Sequence, residues 1–394
     1  MKFFAYLICY LIYPISFLFP RNGRKYAFGS FRGAFNDNAK YLFIYASENC
    51  HDVRCVWLSQ DRKTVQAVRN LGLESLYVFS LKGMLYALTS SFWFVNSYSN
   101  DIFFSFSGGA TIFNLWHGLT IKRIEFGIKS GDLADRYVNR TLKERYYHPQ
   151  VYRRPDYVLS SSRFQSGVFA KDFRIPVSRC PELGYPRTYL LKCSYEERMK
   201  FVDMYEPAIA REIIESISKY SRTYIYMPTW RDSQRNVFVQ SMDLSRLNNL
   251  LSANNELLLL KPHANTIVDN PGAYSNIVLL DSRLDVYSIL PDVDVLISDY
   301  SSIIQDFLLM KGKGLILYLY DYKEYASGRD FEIDFEAVMP GCFVHDFESL
   351  LKVMSGECLL DDSQRETFVE LFWGKSREYD SSAEIISFVK SLRR

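Results

Sequence analysis

The feature that most constrains the fold is the stretch at residues 294–310, which reads DVLISDYSSIIQDFLLM. It begins as an apolar strand, turns at Tyr300 and continues with apolar residues at helical spacing, with Ser301 and Ser302 at helix-capping positions. The free N–H groups and the dipole at the start of such a helix favour an anion. The same residues also fit an ordinary connection between a strand and a helix in an α/β domain. An anion site and a plain connection therefore both stay open here.

Short apolar strands alternate with helical segments on both sides of this stretch. Strands are predicted at residues 25–30 and 53–58 in the first half, and at 223–230 and 256–263 in the second. Alternation at this spacing is typical of parallel, doubly wound sheets. A turn-rich stretch at residues 180–190 separates the halves, and 394 residues suffice for two such domains. The G-x-G-x-x-G fingerprint of dinucleotide sites is absent.

Charge and cysteine content exclude several classes of protein. The net charge is +2, so bulk charge gives no reason to expect a nucleic-acid partner. The seven cysteines are scattered and form no C-x-x-C pair. This pattern favours reduced thiols in a cytoplasmic protein, and it argues against a disulfide framework or a cysteine zinc site.

The N-terminal segment, residues 1–24, is predicted to associate with a membrane. Residues 3–20 carry no charge and are rich in Phe and Tyr, and Arg21, Arg24 and Lys25 follow them. A secretory signal would place the basic residues first and would end in a small-residue cleavage site. The run is short for a spanning helix, and its aromatic residues favour the interface, so an in-plane anchor is preferred over a spanning helix or a buried core helix.

A basic excursion covers residues 122–163. It holds ten Lys and Arg residues against five Asp and Glu residues, with aromatic residues between them. Two interpretations remain open. It is either a solvated helical excursion or a basic, aromatic surface that faces phospholipid or an acidic acceptor.

Polar residues follow several of the predicted strands, where ligands of open α/β sheets bind. The strand at residues 111–118, TIFNLWHG, ends in His117, which is placed for proton transfer near neutral pH or is a structural histidine. In the second half, strand ends carry groups that suit a diphosphate. These groups are Arg231, Lys261, His263, Ser301, Ser302 and, after the next strand, Arg329.

The chain resembles the CDP-glycerol glycerophosphotransferase family of teichoic-acid and capsule synthesis. The resemblance spans roughly residues 28–345, and its motifs occur in the family's order: W-H-G at 116–118, G-Y-P-R at 184–187, P-T-W-R at 228–231, K-P-H at 261–263 and S-D-Y-S-S at 298–302 with D-F at 306–307. The resemblance implies a GT-B-like α/β fold with two Rossmann-like, doubly wound parallel-sheet domains facing a cleft. The predicted domains are an N-terminal acceptor domain at residues 25–190 and a C-terminal nucleotide-donor domain at residues 191–394.

The resemblance also implies roles for the site residues. His117 would take the proton from the acceptor hydroxyl. Asp299 would also be catalytic, and it would support the donor pocket. Arg231, Lys261, His263, Ser301, Ser302 and Arg329 would bind the donor. The donor would be CDP-glycerol or CDP-ribitol, and the acceptor a lipid-linked saccharide or a growing polymer. CMP would leave, with no cofactor or metal, at the cytoplasmic face of the membrane.

Two alternatives to this function stay open on the sequence alone. A GT-B glycosyltransferase would use the same Ser-capped helix for a UDP-sugar, and a non-catalytic membrane-bound assembly subunit would not need His117. The chain lacks the extra N-terminal region common in polymerising members, which favours a primase-like enzyme that adds one or a few units. A homo-oligomer is neither required nor excluded.

Overall fold

The computed structural model divides the chain into two compact units. The first is Met1–Tyr189 with Phe372–Arg394, and the second is Leu190–Leu371. The structure describes residues 2–131, 133–229, 241–261, 274–281, 284–322, 325, 331–356 and 360–393. Arg231, His263 and Arg329 therefore lie outside the described residues.

The first unit is built on a parallel sheet with strand order β3-β2-β1-β4-β5-β6. In the central pairs, Tyr26 of β1 lies opposite Cys55 of β2 and Phe92 of β4. The order reverses between β1 and β4, where the chain leaves one side of the sheet for the other. The strands are β1 (Asn22–Gly29), β2 (Arg54–Ser59), β3 (Ser75–Tyr77), β4 (Ser90–Val95), β5 (Thr111–Asn114) and β6 (Tyr157–Val158).

The second unit repeats this arrangement, with strand order β12-β11-β10-β7-β8-β9. Ile297 of β10 lies opposite Tyr226 of β7 and Ile316 of β11, so the order reverses between β7 and β10. The strands are β7 (Arg222–Met227), β8 (Glu256–Leu260), β9 (Ile277–Leu279), β10 (Val295–Ser298), β11 (Gly314–Tyr318) and β12 (Cys342–Val344). Two Rossmann-like parallel sheets confirm the predicted fold class.

Strands such as β2, β8, β10 and β11 are buried along nearly their whole length, as is typical of parallel sheets that are covered on both faces. In the first unit, Ala27, Trp93 and Ile112 pack in one buried cluster. In the second unit, Tyr226 and Ile316 belong to another. Burial of this much apolar surface is the main force that holds each sheet to its helices.

Seventeen α-helices surround the two sheets in the described part of the chain. They are α1 (Lys2–Ile15), α2 (Asp37–Asn49), α3 (Arg62–Asn70), α4 (Leu81–Thr89), α5 (Ala134–Tyr137), α6 (Leu142–Tyr147), α7 (Pro149–Tyr152), α8 (Arg163–Phe173), α9 (Tyr189–Lys192), α10 (Tyr195–Tyr205), α11 (Ala208–Ile217), α12 (Leu244–Ala253), α13 (Ile303–Phe307), α14 (Phe335–Val338), α15 (Phe347–Met354), α16 (Asp362–Trp373) and α17 (Ser381–Ser391).

The last 23 residues correct the predicted domain boundaries. The sequence pattern assigned them to the C-terminal domain, whereas the structure groups Phe372–Arg394 with the first unit. The reason is a set of contacts made by α17 and the residues after it. Phe388 packs edge-on against Tyr157 at 5.4 Å between ring centroids, and Arg393 Nε donates to the Tyr26 hydroxyl at 3.0 Å. An ion pair of 2.8 Å joins Lys390 to Asp52.

The predicted membrane-associating segment forms α1 and a short 3₁₀ turn at Ser16–Leu18. Pro14 lies in the last turn of α1, where the helix is about to end. Apart from the gaps given above, no helix in residues 2–393 has both the length and the apolar character needed to cross a lipid bilayer.

Candidate active site

The turn after β5 presents His117 to solvent. Trp116 has a φ of 52°, in the left-handed region that few non-glycine residues adopt. Its N–H donates to Asn114 Oδ1 at 2.9 Å, and its buried indole packs edge-on against Phe173 at 5.0 Å between centroids. The turn therefore buries Trp116 and leaves the adjacent His117 side chain exposed.

The hydrogen bond of His117 identifies its basic nitrogen. Nδ1 lies 3.1 Å from the backbone oxygen of Asn96. A carbonyl oxygen only accepts, so Nδ1 carries the hydrogen, and Nε2 holds the free lone pair. Although the side chain reaches solvent, the surrounding protein desolvates the ring and lowers the pKa of His117. The charge of Asp37 and the Asn96 carbonyl raise this pKa, and the charge of Arg187 lowers it. The net direction is downward, which keeps the ring neutral and able to accept a proton near pH 7.

Asn96 follows β4 and is fixed on all sides. Its N–H donates to Asp101 Oδ2 at 2.9 Å, and its Nδ2 donates to Ser30 Oγ, just after β1, at 2.8 Å. Its Oδ1 accepts from the Ala39 N–H at 2.9 Å. Burial of Asp101 raises the pKa of that carboxyl to about 7. The ends of β1, β4 and β5 thus meet in one network beneath His117, at the point where the strand order reverses.

The start of α2 and the G-Y-P-R motif complete this network. Arg187 Nη1 forms an ion pair of 2.8 Å with Asp37 Oδ1. The Asn38 amide donates to the Trp116 carbonyl at 3.0 Å and accepts from the Arg187 N–H at 3.3 Å. Sequence reasoning gave no role to Asp37, Asn38 or Asn96, although each follows a glycine-containing loop or a strand. It found the motif of Arg187 but not its function.

Asp299 has the corresponding position in the second unit. It directly follows β10 and is fully buried. Its carboxylate accepts from the Thr229 N–H at 2.9 Å, from the Tyr300 N–H at 2.6 Å and from the Thr229 hydroxyl. These bonds join the end of β10 to the end of β7. The Asp299 carboxylate therefore holds the backbone at the ends of these two strands, and its role in a donor pocket stays a prediction.

Ser301 and Ser302 precede a short helix. The predicted helical spacing runs from Ile303 to Leu308, and α13 covers Ile303–Phe307 with Leu308 as its C-cap. Ser302 makes no side-chain capping bond, and the Ile303 N–H donates to Ser301 Oγ at 3.4 Å. A helix of one turn has only a weak dipole, so the hydroxyl groups, both half-buried, are the more direct donors to an anion.

Lys261 directly follows β8. Its Nζ donates to the Asp281 carbonyl at 3.0 Å, and desolvation lowers the pKa of this amine despite the nearby Asp285 and Asp281. The structure brings Asp299, Ser301 and Ser302 together after β10 and places Lys261 after a strand of the same sheet. The roles of Arg231, His263 and Arg329 stay predictions.

An aromatic cluster supports the loop that carries Ser301. Tyr300 is fully buried and stacks on Tyr325 at 3.9 Å between ring centroids with an interplanar angle of 9°. Its hydroxyl donates to Asp321 Oδ1 at 3.2 Å, and Phe335 packs on it at 5.6 Å. The sequence pattern predicted Tyr300 as the turn of this stretch and gave its packing partners no role. Their packing fixes the backbone immediately before the two serines.

No group of three or more His, Cys, Asp or Glu side chains is arranged to hold a metal ion within the part of the chain that the structure describes. The expectation of a metal-independent reaction stays a prediction.

Comparisons with known proteins identify one protein family. Residues 11–387 match the family model of CDP-Glycerol:Poly(glycerophosphate) glycerophosphotransferase. The teichoic acid poly(glycerol phosphate) polymerase of Bacillus spizizenii is 27% identical over 363 residues, covering 87% of this chain and 86% of the relative. The teichoic acid glycerol-phosphate transferase of Staphylococcus aureus is 25% identical over 341 residues, covering 83% and 82%.

A solved structure of the wall teichoic acid polymerase TagF superimposes with a TM-score of 0.73 at 22% identity. The superposition covers 94% of this chain and 90% of the TagF chain in that structure. At this level of identity the likeness shows the fold, which agrees with the two parallel sheets described above.

Proposed function

Because this chain belongs to the CDP-Glycerol:Poly(glycerophosphate) glycerophosphotransferase family, we propose that it transfers glycerol phosphate or ribitol phosphate from a CDP-polyol. The acceptor is a hydroxyl of a lipid-linked saccharide or of a growing polymer, and CMP is released. The single observation that carries the proposal is His117, whose Nε2 is left free as a base by the bond between Nδ1 and the Asn96 carbonyl.

The reaction exchanges one P–O bond for another. The acceptor hydroxyl gives its proton to His117 Nε2, and its oxygen forms a bond to the phosphorus that bears the polyol. The bond from that phosphorus to the CMP oxygen breaks, and CMP leaves with the electron pair. Charge on the transferring and leaving groups needs preorganised donors, since positioning and electrostatic stabilisation supply most of the catalysis in phosphoryl transfer.

The second unit supplies these donors in our proposal. Ser301 and Ser302 offer hydroxyl groups, Lys261 offers an ammonium group, and Asp299 keeps the loop that carries the serines in place. Arg231, His263 and Arg329 are proposed to contact the same diphosphate. No metal is required in this scheme.

The decisive experiment is CMP release by the purified protein. CDP-glycerol, CDP-ribitol and a UDP-sugar are offered in turn with a lipid-linked disaccharide as acceptor. We expect CMP from a CDP-polyol and no turnover of the UDP-sugar, with the activity lost in His117→Asn. Turnover of the UDP-sugar alone would overturn the proposed reaction and leave the fold unchanged. The length of the product shows whether one unit, a few units or a long polymer is added.

We further propose that the protein works at the cytoplasmic face of the membrane, docked through a surface shared by α1 and α6. Tyr6 packs edge-on against Tyr147 at 5.2 Å, and Tyr10 stacks on Tyr146 at 5.6 Å. The Tyr10 hydroxyl donates to the Arg145 carbonyl at 2.8 Å. These contacts join the two candidate anchors predicted from the sequence, residues 1–24 and 122–163, into one surface.

Apolar side chains of this surface face solvent next to basic residues, which suits an anionic bilayer interface. The exposed residues are Leu7, Ile8, Leu11, Ile15 and Leu142. Leu11→Glu and Leu142→Glu should each abolish co-flotation with vesicles that contain anionic lipid. Ile209→Glu alters an exposed apolar residue of the second unit and serves as the matched control. Co-flotation that survives both changes would contradict the proposed docking surface.

A further inference from the structure

The G-Y-P-R motif ends in an arginine that the proposed reaction does not yet use. The Arg187 side chain is only 3% exposed, and its partner Asp37 is 23% exposed. A buried guanidinium charge is destabilising unless an acceptor such as a carboxylate compensates it. Arg187 is thereby tied to the first residue of α2.

The geometry links this ion pair to the turn that carries His117. Asn38, which follows Asp37, donates its amide to the Leu115 carbonyl at 3.3 Å and to the Trp116 carbonyl at 3.0 Å. The Asn38 side chain also accepts from the Arg187 N–H. The ion pair, the start of α2 and the His117 turn therefore share one set of hydrogen bonds.

The backbone of Asp37 is itself unusual. Its φ is 58°, a left-handed conformation that costs a non-glycine residue free energy and that persists where the surroundings enforce it. The Asn38 N–H donates to Asp37 Oδ1 at 2.7 Å, the same oxygen that contacts Arg187. The carboxylate is thus held from two sides.

Asp37 and Arg187 are the two charged side chains that act on the protonation of His117. Asp37 raises the pKa of His117, and Arg187 lowers it. Two other charged groups belong to neighbouring segments. Lys40 of α2 is buried with its ammonium near the rings of Phe35 and Tyr41, and Asp101 is buried beneath Asn96.

We propose that Asp37, held in place by Arg187, is the positioning residue that stabilises the protonated form of His117 during transfer. The inference rests on the proposed function of His117 as the base. When the acceptor proton arrives on Nε2, the imidazole becomes a cation, and the nearby carboxylate lowers the free energy of that state. Arg187 keeps Asp37 oriented and limits how basic His117 is at rest, so that the ring stays unprotonated before substrate binds.

The test compares three substitutions. Asp37→Asn removes the negative charge, Arg187→Gln removes the positive charge, and Asp37→Glu keeps the charge of the acid. The matched control is Asp292→Asn, which breaks the Arg198–Asp292 pair of the second unit. That pair has almost the same burial, 4% and 23% exposed side chains.

Two readouts are taken on each full-length variant. One is the pKa of His117 from NMR titration of protein labelled at histidine, with the His117 signal among the five histidines assigned by its absence in His117→Asn. The other is the pH dependence of kcat for CMP release. Asp37→Asn should lower the pKa of His117 and reduce kcat roughly 10- to 100-fold at unchanged donor KM. Arg187→Gln should raise this pKa.

Opposite shifts in the two variants, with the wild-type pKa recovered in Asp37→Glu and kept in Asp292→Asn, would support the proposal. Shifts in the same direction, or no shift in either, would overturn it and leave the pair with a structural role only. If the wild-type protein releases no CMP from any donor, the proposed function fails. The NMR titration still decides whether the pair acts on His117, so the two failures are distinguishable.

Discussion

Asp101 and Asp299 lie at corresponding places in the two units. Each is buried after the fourth strand of its sheet, where the strand order reverses, and each accepts from backbone N–H groups and from a hydroxyl. Asp101 takes the N–H groups of Asn96 and Ser97 and the Ser97 hydroxyl. Asp299 takes those of Thr229 and Tyr300 and the Thr229 hydroxyl. The two carboxylates differ in what they hold.

The bonds of Asp101 stay within the loop after β4, and they leave the Asn96 carbonyl directed at His117. The bonds of Asp299 run from the end of β10 to the end of β7, and they fix the two loops that carry the family's P-T-W-R and S-D-Y-S-S motifs. In both units the buried carboxylate is used for backbone geometry. The group that we propose as reactive or binding is a less buried neighbour, His117 in the first unit and the two serines in the second.

The largest effect should come from removing the base itself. His117→Asn keeps a side chain of similar polarity but has no nitrogen that accepts a proton near pH 7. We expect kcat for CMP release to fall roughly 10²- to 10⁴-fold, the usual contribution of general base catalysis, with donor affinity by calorimetry unchanged. His51→Asn, an exposed histidine elsewhere in the first unit, is the control. A matching loss of donor affinity would place His117 in the donor site instead.

Asp299→Asn tests whether the second carboxylate is supportive. The amide provides one accepting oxygen for three donors and points an NH₂ group at another, so about 2–3 kcal/mol of stability should be lost. Donor binding should weaken because the loops of β7 and β10 lose their connection. Urea unfolding and calorimetry with CDP-glycerol measure the two effects. A loss of kcat at unchanged donor affinity would instead make Asp299 part of the chemistry.

Asp101→Asn should give the opposite functional result at a cost of about 1–2 kcal/mol, with kcat lowered and donor affinity unchanged. It also has a pH signature. Folding raises the pKa of Asp101 to about 7, so the wild-type stabilisation is present at low pH and is lost as the pH rises through 7. The difference in melting temperature between wild type and variant should therefore be larger at pH 5 than at pH 8. A difference that grows with pH would contradict the assignment.

The fold could be predicted well because its determinants are local and repetitive. Apolar strands such as residues 295–298 alternate with helical segments, and this pattern alone specifies parallel sheets covered on both faces. The prediction was wrong for residues 372–394, because a helical pattern does not say which sheet the helix covers.

The site could be predicted only in part. His117, Ser301 and Ser302 lie at strand or helix ends, so the sequence alone identified them as candidates. The sequence did not reveal the groups that hold them in place, because these are backbone atoms and residues far along the chain. The Asn96 carbonyl that orients His117 lies 21 residues away, and Thr229 is 70 residues from Asp299. Every residue has a backbone carbonyl, so the sequence does not show which carbonyl accepts a given hydrogen bond.

The smallest effect, and the finest test of the second carboxylate, concerns the Thr229 hydroxyl. Thr229→Val preserves shape and the backbone N–H but removes one of the donors to Asp299, leaving a buried carboxylate oxygen with one bond fewer. We expect a loss of about 1 kcal/mol in urea unfolding, with a modest increase in donor Kd. Thr229→Ser keeps the hydroxyl and should behave as wild type in both measurements. If the Val and Ser variants are equally stable, the backbone N–H groups alone hold Asp299. The hydroxyl bond that Asp299 shares with Asp101 would then contribute nothing to the stability of the second unit.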